Sequence, residues 1–222
     1  MKRTILSLIF SAVLASASAQ DMQTLFCQMP DQYIPQLQDA WRKDLTDLFK
    51  EGKEARLKNN MNGYSTLEAL NDDYLRLQST ERTRIEMRRF PLINGTYVIC
   101  MVTTYFGPAP DSRVAFYSTD WKPLDSAALF TPPAAGDFFR HDADTTSVAW
   151  QDTQAALDME LMEYRLSPDA PTLTVAYATP EYLSKEMQKT VSPFLTGEAI
   201  VYDWKQSRFE RATLPPSSSK SF

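Results

Sequence analysis

In the stretch FFRHDADTTS, Asp142, Asp144 and Thr146 fall at the D-x-D-x-T spacing of phosphatases whose first aspartate attacks phosphate and whose second serves acid–base work beside Mg²⁺. That chemistry needs the motif at the end of a buried parallel strand, and GDFFRH is a poor strand in a region without βαβ alternation. His141, the only histidine, together with Asp142 and Asp144 supplies donors suited to Ca²⁺ or Mg²⁺, but the loop lacks the glycine and terminal glutamate of an EF-hand. An acidic, solvated loop accounts for the same residues, because short motifs match by chance. A pair made of Cys27 or Cys100 with His141 lacks the helix-opening, glycine-rich setting that lowers a thiol pKa. With six glycines in the chain there is no phosphate-cradling loop, and no serine sits in a nucleophile elbow. No cofactor is implied.

The most distinctive polar segment is ERTRIEMRR. As a strand it places Arg82, Arg84, Glu86 and Arg88 on one face and Ile85 and Met87 on the other. Beside Arg76 and the tyrosines of neighbouring strands, Tyr105 among them, such a row could grip carboxylates, sulfated sugars or an acidic peptide. A solvated sheet face with cross-strand ion pairs is the simpler explanation, because most surface charge is only that. A second feature is an echo: FYSTDWKPL and VYDWKQSRF each carry a Tyr ahead of Asp-Trp-Lys. Trp121 and Trp204 then either plug the core at strand ends with their N–H paired, or form two aromatic ligand platforms. The unequal spacing of each triplet from its preceding helix argues against a duplication.

These residues must be positioned by a chain that opens MKRTILSLIFSAVLASASAQ: basic residues, a short apolar run, then Ala17-Ser18-Ala19, the pattern of a secretory signal cut before Gln20. The apolar run is too short to span a bilayer and no second candidate follows. Cleavage removes Lys2 and Arg3 but no acid, so the net charge of −5 becomes −7. An acidic chain without a basic tail is a poor partner for nucleic acid or an anionic membrane. In an oxidising compartment Cys27 and Cys100 could form one bridge, although Cys100 lies in the apolar run YVICMVTTYF, where a buried thiol fits as well.

From Tyr33 to Phe49 the apolar residues recur at helical period, which predicts a helix of about four turns with Pro35 in its first turn and Gly52 as its stop. Short alternating runs follow, TLEAL, YLRLQ, RTRIEMRRF, TYVICMVTTYF and RVAFYST, separated by turn residues, which predicts an antiparallel meander. The run around Cys100 is apolar on both sides and is expected to be central and covered on both faces. Residues 125–146 read as a long irregular loop, a possible seam between two halves. LDMELMEYRLS and TLTVAYA read as strands, TPEYLSKEMQKTVSPFL as a second amphipathic helix, and EAIVYDWKQSRFERA as a hairpin turning at Lys205 to Ser207. The closing residues 213–222, rich in Pro and Ser, are expected to form a disordered tail. The expected whole is a single α+β domain over 20–212, an antiparallel meander packed by two main amphipathic helices.

The stretches LFCQMPDQYIPQL, LNDDYLRLQ, IEMRRFPL, FYSTDWKPL and TLTVAYATPEYL together resemble an uncharacterised secreted family of Bacteroidales known only as a domain of unknown function. The resemblance covers most of the mature chain. It implies a periplasmic or secreted setting and carries no activity, so it assigns no catalytic residue. The functional expectation is a non-enzymatic binding protein for a peptide, glycan or envelope protein, acting through Arg84, Arg88 and Tyr105. The alternatives are a metal-dependent hydrolase built on the loop 141–146 and an inhibitor or chaperone-like envelope module.

Overall fold

The computed structural model describes residues 20–213. The expected signal segment and, apart from Thr213, the expected tail lie outside the described residues. The chain forms two antiparallel sheets. The first is a six-stranded meander in sequence order: β1 (Arg56–Lys58), β2 (Tyr64–Leu70), β3 (Tyr74–Thr80), β4 (Thr83–Pro91), β5 (Tyr97–Phe106) and β6 (Pro110–Ser118). The second holds β7 (Met162–Leu166), β8 (Thr172–Tyr177), β9 (Ile200–Lys205) and β10 (Arg208–Arg211), in the order β10-β9-β8-β7. The architecture is α+β.

Two faces of the meander carry two cores. Leu75, Leu77, Ile85, Met87, Ile99 and Met101 point to one side, where they meet Met22, Leu25 and Phe26 of α1 (Met22–Gln28) and Leu45 of α2 (Asp39–Lys50). Tyr74, Phe90, Val98, Cys100, Val102 and Phe116 point to the other, against Tyr164, Leu166, Leu173, Val175, Tyr202 and Phe209 of the second sheet. The doubly apolar β5 is thus covered on both sides, as its sequence requires, but it lies beside the edge strand β6 and not at the centre. Cys27 belongs to the helical layer and Cys100 to the inter-sheet core, so the sheet itself separates them; both are free thiols.

The first long helix is shorter than its periodicity predicts. Ile34 and Leu37 are fully buried, but in irregular chain ahead of Asp39, so core residues at helical spacing imitate a helix that Pro35 helps to forbid. What organises this segment is Arg42, 1 % exposed, whose guanidinium donates to the carbonyls of Met29 and Leu37 and pairs with Asp31 at 2.8 Å. Gly52 does stop the helix: at φ +68° it lets its own N–H reach Phe49 O and the N–H of Lys53 reach Leu48 O. The preceding α1, capped by Asp21 on the N–H of Thr24, was not legible in the periodicity.

The second predicted helix is broken. α5 (Thr179–Tyr182) ends where Leu183 turns extended, and Ser184 caps a new helix, α6 (Lys185–Val191), through the N–H of Met187. Of the expected apolar face only Val191 is fully buried. The expected loop 125–146 contains a short helix (Ser126–Leu129, α3), and α4 (Val148–Ala156) follows it, capped by Ser147. At the closing hairpin Gln206 and Ser207 both adopt positive φ, the signature of a two-residue turn matched to strand twist.

Candidate functional site

The polar face of β4 does not look into solvent. The second sheet stands with its edge strand β7 against the face of the meander, and the free main-chain groups of that edge meet β4 and β6 side chains. The N–H of Met162 approaches Asp111 at 3.4 Å, that of Tyr164 donates to Ser112 Oγ at 3.1 Å, and that of Leu166 acts on Glu86. Arg88 Nη1 donates to the carbonyls of Ser167 and Pro168 at 2.8 and 3.0 Å. Arg84 pairs with Glu163 at 2.9 Å, and Glu163 uses its other oxygen on Arg165, also at 2.9 Å. Buried main-chain groups must find partners, and a strand edge pressed on a sheet face can find them only in side chains.

Burial leaves its mark on these groups. Glu86 accepts the Tyr74 hydroxyl at 2.6 Å, yet desolvation still pushes its carboxyl above the ordinary range. Desolvation likewise lowers the Arg88 guanidinium, with Asp73 and Asp169 opposing from a distance. Arg84 and Arg88 are therefore inter-sheet groups, whereas Tyr105 sits half-exposed on the opposite face of the meander. Arg76 lies at the margin, paired with Glu68 at 2.9 Å.

The two tryptophans part company. Trp121 is buried in a turn at φ +61°, its indole N–H donating to Leu25 O at 3.0 Å and its ring against Tyr33 and Tyr117. It pins α1 to the end of β6. Trp204 lies within β9, packs on Phe90 and Phe209 and donates to Pro91 O at 2.8 Å. The repeated Asp-Trp-Lys is thus built in two unrelated backbone settings, and each indole ties one layer to another.

His141, Asp142 and Asp144 sit on an exposed loop. Asp142 is gripped by Arg140 at 2.8 and 3.0 Å, which holds its carboxyl below the usual range, and Asp144 accepts from the N–H and hydroxyl of Thr146. Among the described residues no three His, Cys, Asp or Glu side chains converge as a metal site would require.

A concavity lies elsewhere, at the free edge of β6. A cleft of about 380 Å³ is lined by Ser112, Val114 and Phe116 on one side, Phe130, Thr131 and Pro132 on the other, with Tyr164 among its walls. Hydrogen bonding alternates along an antiparallel pair. Because the N–H of Leu124 donates to Phe116 O and that of Ser118 to Lys122 O, residues 116 and 118 turn their main-chain groups away from β5, and so does Val114. The chain thereby adds its own short strand segment at Tyr117–Pro123, then leaves the edge at Asp125, which caps α3. The N–H and C=O of Val114 are left without a partner among the described residues, beside a cleft whose lining carries no charged side chain. Sequence reading missed this site; the only local cue was the proline and serine cluster that ends the meander.

Residues 14–209 match the family described as protein of unknown function, DUF3256. No curated protein matches. The fold is shared with a solved domain of an uncharacterized protein from Porphyromonas gingivalis W83, at 32% identity and a TM-score of 0.80, covering 88% of this chain and 100% of that one. No described helix is long and apolar enough to cross a membrane. The chain is a member of the DUF3256 family, an α+β domain of unknown function.

Proposed function

We propose that this chain is an exported, non-enzymatic binding module that captures an extended segment of a partner protein at the free edge of β6. The observation that carries the reading is the unpaired main chain of Val114 beside an uncharged, aromatic-walled cleft. An added strand would take its main-chain hydrogen bonds there and place alternate side chains between Phe116, Phe130 and Tyr164, the logic by which sheet edges recognise peptides. That the chain extends the same edge with residues 122–124 supports its competence to accept a strand. The occupant is a short segment with small or apolar residues at alternate positions, since a buried charge would find no counter-charge in the lining. The acidic loop 141–146 lends a hydrolase little support, because Asp142 and Asp144 are turned toward their own neighbours.

The test is an array of uncharged heptapeptides alternating apolar and polar residues, each also made with N-methylated backbone. Val114→Pro removes an outward N–H without touching the β4–β5–β6 ladder, a substitution edge strands tolerate. Binding should fall at least tenfold with either change while the melting temperature stays within a few degrees. Binding indifferent to both changes, or none across the array, would sink the proposal. The export reading, which rests on the signal pattern at residues 1–19, is checked by whether the secreted chain begins at Gln20.

A further inference from the structure

Away from the β6 edge, the far end of the meander holds a cation without a matching anion. Arg88 is 7 % exposed, and its Nη1 spends its protons on two main-chain carbonyls. Among the described residues its Nε has no acceptor and no carboxylate comes within ion-pairing distance of it. A buried guanidinium is normally accompanied by a counter-charge, because desolvating the cation alone is costly. Arg88 also forms part of the wall of a recess of about 290 Å³, with Asp73, Arg89, Pro91, Tyr97 and Pro171.

The other walls fit this imbalance. Asp73 is already committed to Arg89 Nε, and Arg89 also donates to Gln20 O and lies 4.7 Å from the centre of the Tyr97 ring. The residues around the recess therefore include two arginines and one carboxylate, and that carboxylate is engaged with Arg89 rather than Arg88. Asp169, the other acid that Arg88 senses, stands on an exposed turn beyond pairing distance. Two prolines and a tyrosine supply apolar surface beside the charge.

We infer that the recess formed by Arg88, Arg89, Tyr97, Pro91 and Pro171 is a binding site for a small organic carboxylate, with Arg88 as its counter-charge. A planar carboxylate matches the guanidinium fork in a way that a spherical anion does not, and an aliphatic or aromatic body would lie on the prolines and Tyr97. The site is distinct from the β6 cleft, which shares none of its residues.

The experiment follows the arginine side-chain N–H resonances of the ¹⁵N-labelled chain, residues 20–222, during titration with acetate, propionate and benzoate, with chloride and sulfate at matched ionic strength as controls. The Arg88 Nε–H signal is assigned by its loss in Arg88→Met. The inference expects a saturable shift of that signal with the carboxylates, stronger for benzoate than for acetate, and little with chloride or sulfate. It also expects a carboxylate-dependent rise in melting temperature that Arg88→Met abolishes. No shift at about 50 mM carboxylate, equal shifts with chloride and sulfate, or a temperature rise that survives in Arg88→Met would each overturn it. Should Arg88→Met fail to fold, Arg88→Lys, which keeps the cation but has no guanidinium Nε–H, assigns the signal by its loss, and the Arg88 signal of the parent chain still decides between the outcomes.

Discussion

Removing Glu163 should be far more damaging than its position on a short five-residue strand suggests. Its side chain is 8 % exposed and holds Arg84, itself 17 % exposed, at 2.9 Å between the sheets. In Glu163→Met the Arg84 cation keeps its place 4.9 Å from the Phe106 ring but loses the one carboxylate within ion-pairing distance among the described residues, and its Nε is already without an acceptor there. Leaving one member of a buried pair alone costs about 3–5 kcal/mol. At roughly 2–4 °C per kcal/mol for a domain of this size, the melting temperature should fall by about 6–20 °C. Arg84→Met should cost less, because Glu163 retains Arg165 at 2.9 Å. The double variant Arg84→Met with Glu163→Met, which replaces this pair by two apolar side chains, should recover most of the loss. Urea denaturation of the three variants measures the cycle. A Glu163→Met variant within about 1 kcal/mol of the parent, the range of exposed pairs, would refute the claim that this layer is structurally buried. So would a double variant less stable than Glu163→Met alone.

Three further outcomes are expected. Burial raises the Glu86 carboxyl, so its ionisation costs native stability as the pH climbs from the unfolded-state value through the folded one; Glu86→Gln should be the more stable protein at pH 7 and indistinguishable below about pH 4, as urea curves at the two pH values would show. Asp21, whose carboxyl the Thr24 hydrogen bonds hold low, contributes above its unfolded pKa and loses that contribution as acid protonates it; Asp21→Ala should cost about 1 kcal/mol at pH 7 and little in strong acid. Unfolded, unreduced protein should titrate two thiols, with half-buried Cys27 reacting slowly in the native state and Cys100 only on unfolding; no thiol in denaturant would contradict their separation by the sheet.

Much of the architecture could be read from local chemistry. Alternating runs bounded by turn residues gave the five strands β2 to β6 and their antiparallel order, and the double-sided β5 announced a layer on each face. Strand alternation also placed Arg84, Glu86 and Arg88 together on one face, which the structure retains. What alternation cannot say is what covers that face. A polar period of two looks the same whether it meets water or the unsatisfied N–H and C=O groups of another strand edge, and β7 lies about eighty residues away in the chain.

The remaining departures share that cause. Ile34 and Leu37 mimic a helix because periodicity records burial, and their burial is arranged by Arg42 and the sheet. Asp-Trp-Lys occurs twice because an indole joins an apolar body to one donor, a useful tie wherever a layer offers a spare carbonyl, whatever the backbone around it. By itself the sequence determined which residues form most of the strands, where the first long helix stops and which side chains share a face, since those depend on steric and hydrogen-bonding preferences within a few residues. Only the tertiary structure decided that the arginine row is an inter-sheet seam, that Arg88 lacks an anion and that Val114 is left unpaired, because each is a relation between groups that the chain brings together only on folding.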